Sequence, residues 1–125
     1  MSSVRGIRGA TTVQADDSGL ILDATEELLR EIVARNGLDI EDIASALFTV
    51  TPDLTANFPA AAARRMGWTL VPMLNFMEIG VPDGLARCIR VLVHINTSRT
   101  QHEMIHVYLH AARALRPDLV RETSS

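Results

Sequence analysis

Three ionisable side chains stand where a sheet would ordinarily carry apolar ones, and their types suit a site for a small, multiply charged anion. Arg90 interrupts Cys88-Ile89-Arg90-Val91-Leu92-Val93-His94-Ile95, an apolar, β-branched run that reads as a central strand. A permanent cation there needs an anionic partner, because burying it alone would cost several kcal/mol. Arg8 interrupts a similar run near the N-terminus, Val4-Arg5-Gly6-Ile7-Arg8-Gly9-Ala10-Thr11-Thr12-Val13, and Glu78 lies in a third extended stretch, Phe76-Met77-Glu78-Ile79-Gly80-Val81. The structural alternative is an arginine tied to Glu78 or to a backbone carbonyl, holding the sheet together. Two arginines against one nearby carboxylate leave a positive charge over, and the planar arginine fork fits a carboxylate bidentately. A ligand with two carboxylates would satisfy both forks.

Other residues that could do chemistry point elsewhere less strongly. His102, His106 and His110 recur at i, i+4 and i+8 in a segment that reads as helix, a spacing that can chelate a metal. No cysteine or carboxylate cluster accompanies them, so an exposed polar stripe is the simpler reading and no metal site is expected. Tyr108 stands in the same segment, off that stripe; it suits either a core aromatic or a phenol that hydrogen-bonds a substrate carboxylate. There is no G-x-S-x-G, no phosphate loop and no dinucleotide fingerprint, and Gly6-x-x-Gly9 alone is a weak signal. No general acid/base pair is evident. The site therefore reads as one built for binding and electrostatics without proton transfer.

Composition narrows the classes further. The 125 residues, 47% hydrophobic and 22% charged, fit one globular domain over residues 1–125. A net charge of −3 argues against nucleic acid or an anionic membrane as the main partner. All 12 basic residues are arginine, so Schiff-base chemistry, which needs a lysine amine, is excluded. The one cysteine, Cys88, lies in the apolar strand and suits a small buried hydrophobe. No signal segment and no apolar run near the ~18 residues that span a bilayer is apparent, so the cytoplasm is the default compartment.

These residues need elements to position them. The pattern predicts strands over 4–13, 43–50, 68–71, the Glu78 stretch and 86–96, with a turn at Val81-Pro82-Asp83-Gly84. A helix begins near the Asp16-Asp17-Ser18 caps, carries Leu20, Ile21, Ala24, Leu28, Leu29, Ile32 and Val33 at helical spacing, sets Glu26 four residues before Arg30, and stops at Asn36-Gly37. A short helix over 58–66 starts around Pro59 and ends at Gly67; a third, from about 100 to 115, ends at Arg116-Pro117. The last residues, 120–125, read as a mobile tail. The order β-α-β-α-β-β-β-α predicts an α/β or α+β sandwich with a mixed sheet and helices on one face, leaving a face or edge for a homo-oligomer to cover.

Six segments in series carry a family resemblance: Arg5-Gly6-Ile7-Arg8-Gly9-Ala10-Thr11-Thr12-Val13, Thr51-Pro52-Asp53-Leu54, Phe58-Pro59-Ala60, Cys88-Ile89-Arg90-Val91, His106-Val107-Tyr108-Leu109 and Leu115-Arg116-Pro117-Asp118-Leu119. Together they resemble the monofunctional, AroH-class chorismate mutases over almost the whole chain. The resemblance implies a homotrimeric pseudo-α/β barrel with active sites at subunit interfaces, no cofactor, and conversion of chorismate to prephenate on the route to phenylalanine and tyrosine. That rearrangement is pericyclic and its substrate is a dicarboxylate. By the same resemblance, Arg90 donates to the ether oxygen and side-chain carboxylate, Arg8 grips the enolpyruvyl carboxylate, and Glu78 accepts from the ring hydroxyl. Tyr108 contacts a carboxylate, and Leu74, Asn75, Phe76 and Met77 line the pocket. Phe58, Arg64, Leu115 and Arg116 form its wall and mouth. Two positions depart from the pattern: Asn75 stands where members often have a cysteine, and Ala61 where a lysine can occur. A non-catalytic trimer that binds dicarboxylate metabolites, and a small trimeric imine deaminase, are the competing readings.

Overall fold

The computed structural model describes residues 2–115. Arg116 and the tail expected from residue 120 lie outside the described residues. Five strands form one mixed sheet: β1 (Ser3–Thr12), β2 (Ile43–Val50), β3 (Met73–Met77), β4 (Cys88–Thr97) and β5 (Val107–Tyr108), in the spatial order β3-β2-β4-β1-β5. The β1–β4 and β2–β4 pairs are antiparallel, while β3 joins β2 and β5 joins β1 in parallel. Two helices, α1 (Ser18–Asn36) and α2 (Ala60–Arg65), pack on one face.

Local chemistry explains why α1 begins and ends where it does. Asp17 is extended at the N-cap and its side chain accepts from the backbone N–H of Leu20, satisfying one orphan donor of the first turn. Gly37 closes the helix in the left-handed region at φ 59°, where a side chain would be strained. Between these ends Ile21, Leu28, Leu29 and Ile32 are buried, and the expected Glu26–Arg30 pair forms at 2.9 Å.

Strand alternation sorts the two sheet faces. Ile7, Ala46, Phe48, Val91, Val93 and Ile95 point into the core with Leu28, Leu29 and Ile32 of α1 and Ala60 and Ala63 of α2. A Cβ on Gly9 would meet Ile32 Cδ1 at 2.7 Å, so glycine lets α1 lie close on β1. The intervening residues occupy the opposite face, over which neither α1 nor α2 packs, and it is there that Arg8, Thr49 and Arg90 stand.

Three expected elements are corrected. The strand expected over the Glu78 stretch, 76–81, instead runs Met73–Met77 and stops before Glu78. Trp68-Thr69-Leu70-Val71 is not a strand. Trp68 is buried in the core while Leu70 is 95% exposed, an uneven pattern set by one anchor residue. The ladder begins after Pro72, whose carbonyl accepts from Ala46 N–H. Nor is 100–115 one helix. It divides into a 3-10 turn at Gln101–Glu103, strand β5, and a 3-10 segment at His110–Ala114. The β1 edge recruits Val107 and Tyr108 beside Gly9 and Ala10, and His110 sits at φ 53°, which no α-helix continues through. The observed order of strands and α-helices is therefore β-α-β-α-β-β-β, with two α-helices among the described residues in place of the expected three.

Candidate active site

Sheet register assembles the site. Phe76 on β3 lies opposite Thr49 on β2, Thr49 opposite Arg90 on β4, Arg90 opposite Ala10 on β1, and Ala10 opposite Tyr108 on β5. One row thus crosses all five strands on the face turned away from α1 and α2. The neighbouring row places Leu74, Leu47, Leu92 and Arg8 side by side. Between the rows lies a cavity of about 280 Å³ lined by Arg8, Leu47, Thr49, Phe76, Arg90 and Tyr108 among others. Ala10, one methyl in size, leaves room between the Arg90 guanidinium and the Tyr108 ring.

Arg90 and Glu78 form the ion pair expected from their residue types. Arg90 Nε donates to Glu78 Oε1 and Oε2, each at 3.0 Å. Thr49 Oγ1 adds a bond to Oε2 at 2.8 Å. Glu78 follows directly after β3, held by its N–H on Val50 C=O at 2.8 Å. The arginine side chain is 34% exposed and the glutamate 16%, so the pair sits between water and core. Arg90 also borders a second cavity, of about 380 Å³, together with Thr51, Asp53 and Glu78. Arg90 is therefore tied to Glu78 through Nε, as the structural reading expects, and it also borders open space.

The start of β4 is fixed by the Thr51-Pro52-Asp53 turn. Cys88 N–H donates to Thr51 Oγ1 at 2.9 Å, Thr51 N–H donates to Cys88 C=O at 3.0 Å, and Thr51 Oγ1 donates to Asp53 Oδ1. Asp53 accepts from Arg87 N–H at 2.9 Å, which holds Arg87 in the left-handed region at φ 47°. The Thr51 hydroxyl, followed by Arg87 N–H, holds the Asp53 carboxyl below the usual carboxylate range. Burial pushes the Cys88 thiol up to about 11, against the smaller pull of Arg90.

Tyr108 is 2% exposed, and its hydroxyl has no hydrogen-bond partner among the described residues. A buried hydroxyl left without a partner costs about 1–3 kcal/mol, so this one is suited to a ligand acceptor. Tyr108 packs with Ala10, Cys88 and Ala112, and Leu115 lies against the same cluster. Arg8 is exposed at the cavity edge and takes part in no ion pair among the described residues, while its N–H donates to His106 Nδ1.

The remaining expected site residues among those described are not brought to this cavity. Phe58, Asn75 and Met77 border a separate groove of about 340 Å³, and Phe76 alone borders both spaces. Asn75 faces the helix side, where its Oδ1 accepts from Ala60 N–H at 3.1 Å. Leu74 is exposed on β3, and Arg64 is exposed on α2 away from either space. The histidine stripe is dispersed: His106 accepts from Arg8, and His110 pairs with Glu27 on α1 at 2.9 Å. Thr49 is the residue that sequence reasoning missed. A threonine in a strand is the commonest of occupants, and only the register opposite Arg90 marks it.

Comparison with known proteins bears on what this arrangement is for. The chain is 50% identical over 117 residues to the chorismate mutase AroH of Thermus thermophilus, covering 93% of this chain and 96% of that protein. It is 45% identical over 117 residues to the chorismate mutase AroH of Bacillus subtilis, covering 93% and 92%. A solved chorismate mutase structure from Clostridium thermocellum superposes with a TM-score of 0.86 at 48% identity, covering 87% of this chain and 97% of that one. Residues 4–119 match the family described as chorismate mutase type I, and the chain belongs to that family.

Proposed function

We propose that this chorismate mutase converts chorismate to prephenate through electrostatic stabilisation by Arg90 and through selection of a compact substrate conformer. Family membership carries the activity; the observation that supports the residue roles is the row that sets Arg90, paired with Glu78, beside the unpartnered Tyr108 hydroxyl and near Arg8. In the rearrangement a C–O bond breaks as a C–C bond forms, with no nucleophile and no proton transfer. Negative charge grows on the ether oxygen, and Arg90 donates to it there. A preorganised donor of this kind contributes about 2.7–4 kcal/mol to the barrier. Arg8 and Tyr108 hold the carboxylates and Glu78 accepts from the ring hydroxyl. Fixing both ends of the substrate removes its conformational freedom before the barrier is climbed.

The working enzyme is a homotrimer in this proposal, a closed barrel with active sites between protomers. Phe58, Leu74, Phe76, Met77, Ile79 and Val81 are exposed apolar residues on or near β3, an edge strand. Such an edge calls for a cover, and a closed ring of identical chains supplies one. The groove beside Phe58, Asn75 and Met77 would then face the Arg90 cavity of a neighbour. By the family resemblance Arg64 and Leu115 would reach the mouth of such an interface site from a neighbouring protomer. The cytoplasm is the proposed compartment; no described helix is long and apolar enough to cross a membrane.

Loss of chorismate absorbance with purified protein tests the activity, and light scattering tests for three copies. Arg90→Ala is expected to lower kcat about 10²–10³-fold while the protein stays folded. Arg90→Lys should also be poor, since an ammonium cannot reproduce a planar fork. Near-normal kcat in either variant would refute the role assigned to Arg90.

A further inference from the structure

We infer that Thr49 is a positioning residue for the reaction, orienting the Glu78 carboxylate so that Oε1 is the oxygen left to accept from the substrate. This rests on the reading of Glu78 as a substrate-binding acid. Glu78 stands just past the end of β3, and the chain beyond it offers little to fix it: Ile79 is 90% exposed and Val81 61%. Its side chain is placed by two donors. Arg90 Nε lies 3.0 Å from both carboxylate oxygens, a symmetric contact that does not distinguish them. Thr49 Oγ1 bonds Oε2 alone, at 2.8 Å, and removes the symmetry. Oε2 then carries two donors and Oε1 one, which leaves more lone-pair capacity on Oε1.

The hydroxyl is well placed to do this repeatedly and in one geometry. Thr49 sits one residue before the end of β2, flanked in register by Phe76 and Arg90, and its side chain borders the same cavity as Arg8 and Tyr108. A β-branched side chain in a strand has few rotamers, so its hydroxyl direction is set by the backbone. Arg90 and Thr49 thus hold one carboxylate from adjacent strands, and a rotation of Glu78 would also shift the guanidinium bonded to it.

The test is a double-mutant cycle followed by chorismate consumption and by thermal melting of the purified protein. Thr49→Val keeps the shape and removes the donor; it is expected to lower kcat/KM roughly 10-fold, in keeping with the cost of slight misplacement in such sites. Thr49→Ser restores the hydroxyl and should recover activity to within about threefold of the parent, a rescue that a merely structural role would not produce. In a Glu78→Ala background, Thr49→Val should cost nothing further, within about twofold. Equal losses with and without Glu78 would overturn the inference, as would a harmless Thr49→Val beside a damaging Glu78→Ala. A harmless Glu78→Ala would instead remove the underlying assignment of Glu78. Should Thr49→Val melt below the assay temperature, Thr49→Ala is read in the same cycle with the same outcomes.

Discussion

Tyr108→Phe should move stability and catalysis in opposite directions. The ring is 2% exposed and its hydroxyl is unpartnered among the described residues, so the folded protein carries an unsatisfied buried donor. Removing the oxygen leaves the packing against Ala10, Cys88 and Ala112 in place. The relief is worth about 1–3 kcal/mol, taken at the lower end because the phenol also loses some dispersion contact. For a chain of this size, about 1 kcal/mol corresponds to roughly 4 °C in Tm. In the proposed role of Tyr108 the substrate meanwhile loses a hydrogen bond to a charged carboxylate, worth about 1.5–3 kcal/mol, or about 10- to 150-fold. That carboxylate keeps its charge throughout the rearrangement, so the lost contact is equal in ground and transition states. The penalty should therefore appear in KM, with kcat nearly unchanged. Arg90 differs in the role proposed for it, because the charge it would meet develops only as the bond stretches. Calorimetry and steady-state assays on the one variant decide the matter: a lower Tm with unchanged KM would refute both halves of the reasoning.

Turnover should be nearly flat across neutral pH and indifferent to EDTA, since no group titrates during the step; a bell-shaped profile centred near neutrality would argue for acid/base catalysis. Asp53 has a folded-state carboxyl lowered by the Thr51 hydroxyl and Arg87 N–H, so its contribution to stability is fully present above its unfolded value and is lost as pH falls through the folded one. Asp53→Asn should accordingly melt below the parent at pH 6, with the gap narrowing as pH falls below the ordinary carboxylate range, and a gap that does not narrow would contradict this. Cys88, fully buried with its thiol at about 11, should resist alkylation at pH 8 in the native protein and react at once after unfolding.

Where local chemistry decides structure, the sequence was readable. Strand β2 was expected over 43–50 and runs Ile43–Val50; α1 begins at its Asp17 cap and ends at Gly37. The Val81–Gly84 turn closes through Gly84 N–H on Val81 C=O at 2.9 Å. The errors fall where tertiary contacts override pattern. Val107 and Tyr108 carry a helix-compatible spacing but pair with a β1 edge nearly 100 residues earlier in the chain. Trp68 made an apolar run look like a strand because it anchors the core. For the site, Arg90, Glu78 and Arg8 were conspicuous as charges in apolar surroundings, and Tyr108 was found on a wrongly assigned helix. Thr49 gave no such signal, since its importance comes from register alone. Phe58, Asn75 and Met77 border a different groove in the single chain, and no periodicity could have separated the two sets.

The row of residues that crosses the sheet has a consequence for how the chain acquires its activity. Its members come from positions 10, 49, 76, 90 and 108, and the longest ladder joins Ser3 to Thr97. Closing contacts so distant along the chain costs entropy before any are rewarded, which places this topology among slower folders than helical bundles of equal length. A polypeptide that has formed α1 but not yet the long-range ladders lacks the pocket. Upon dilution from denaturant, circular dichroism should recover ahead of turnover, and fragments that lack either terminal strand should be inert.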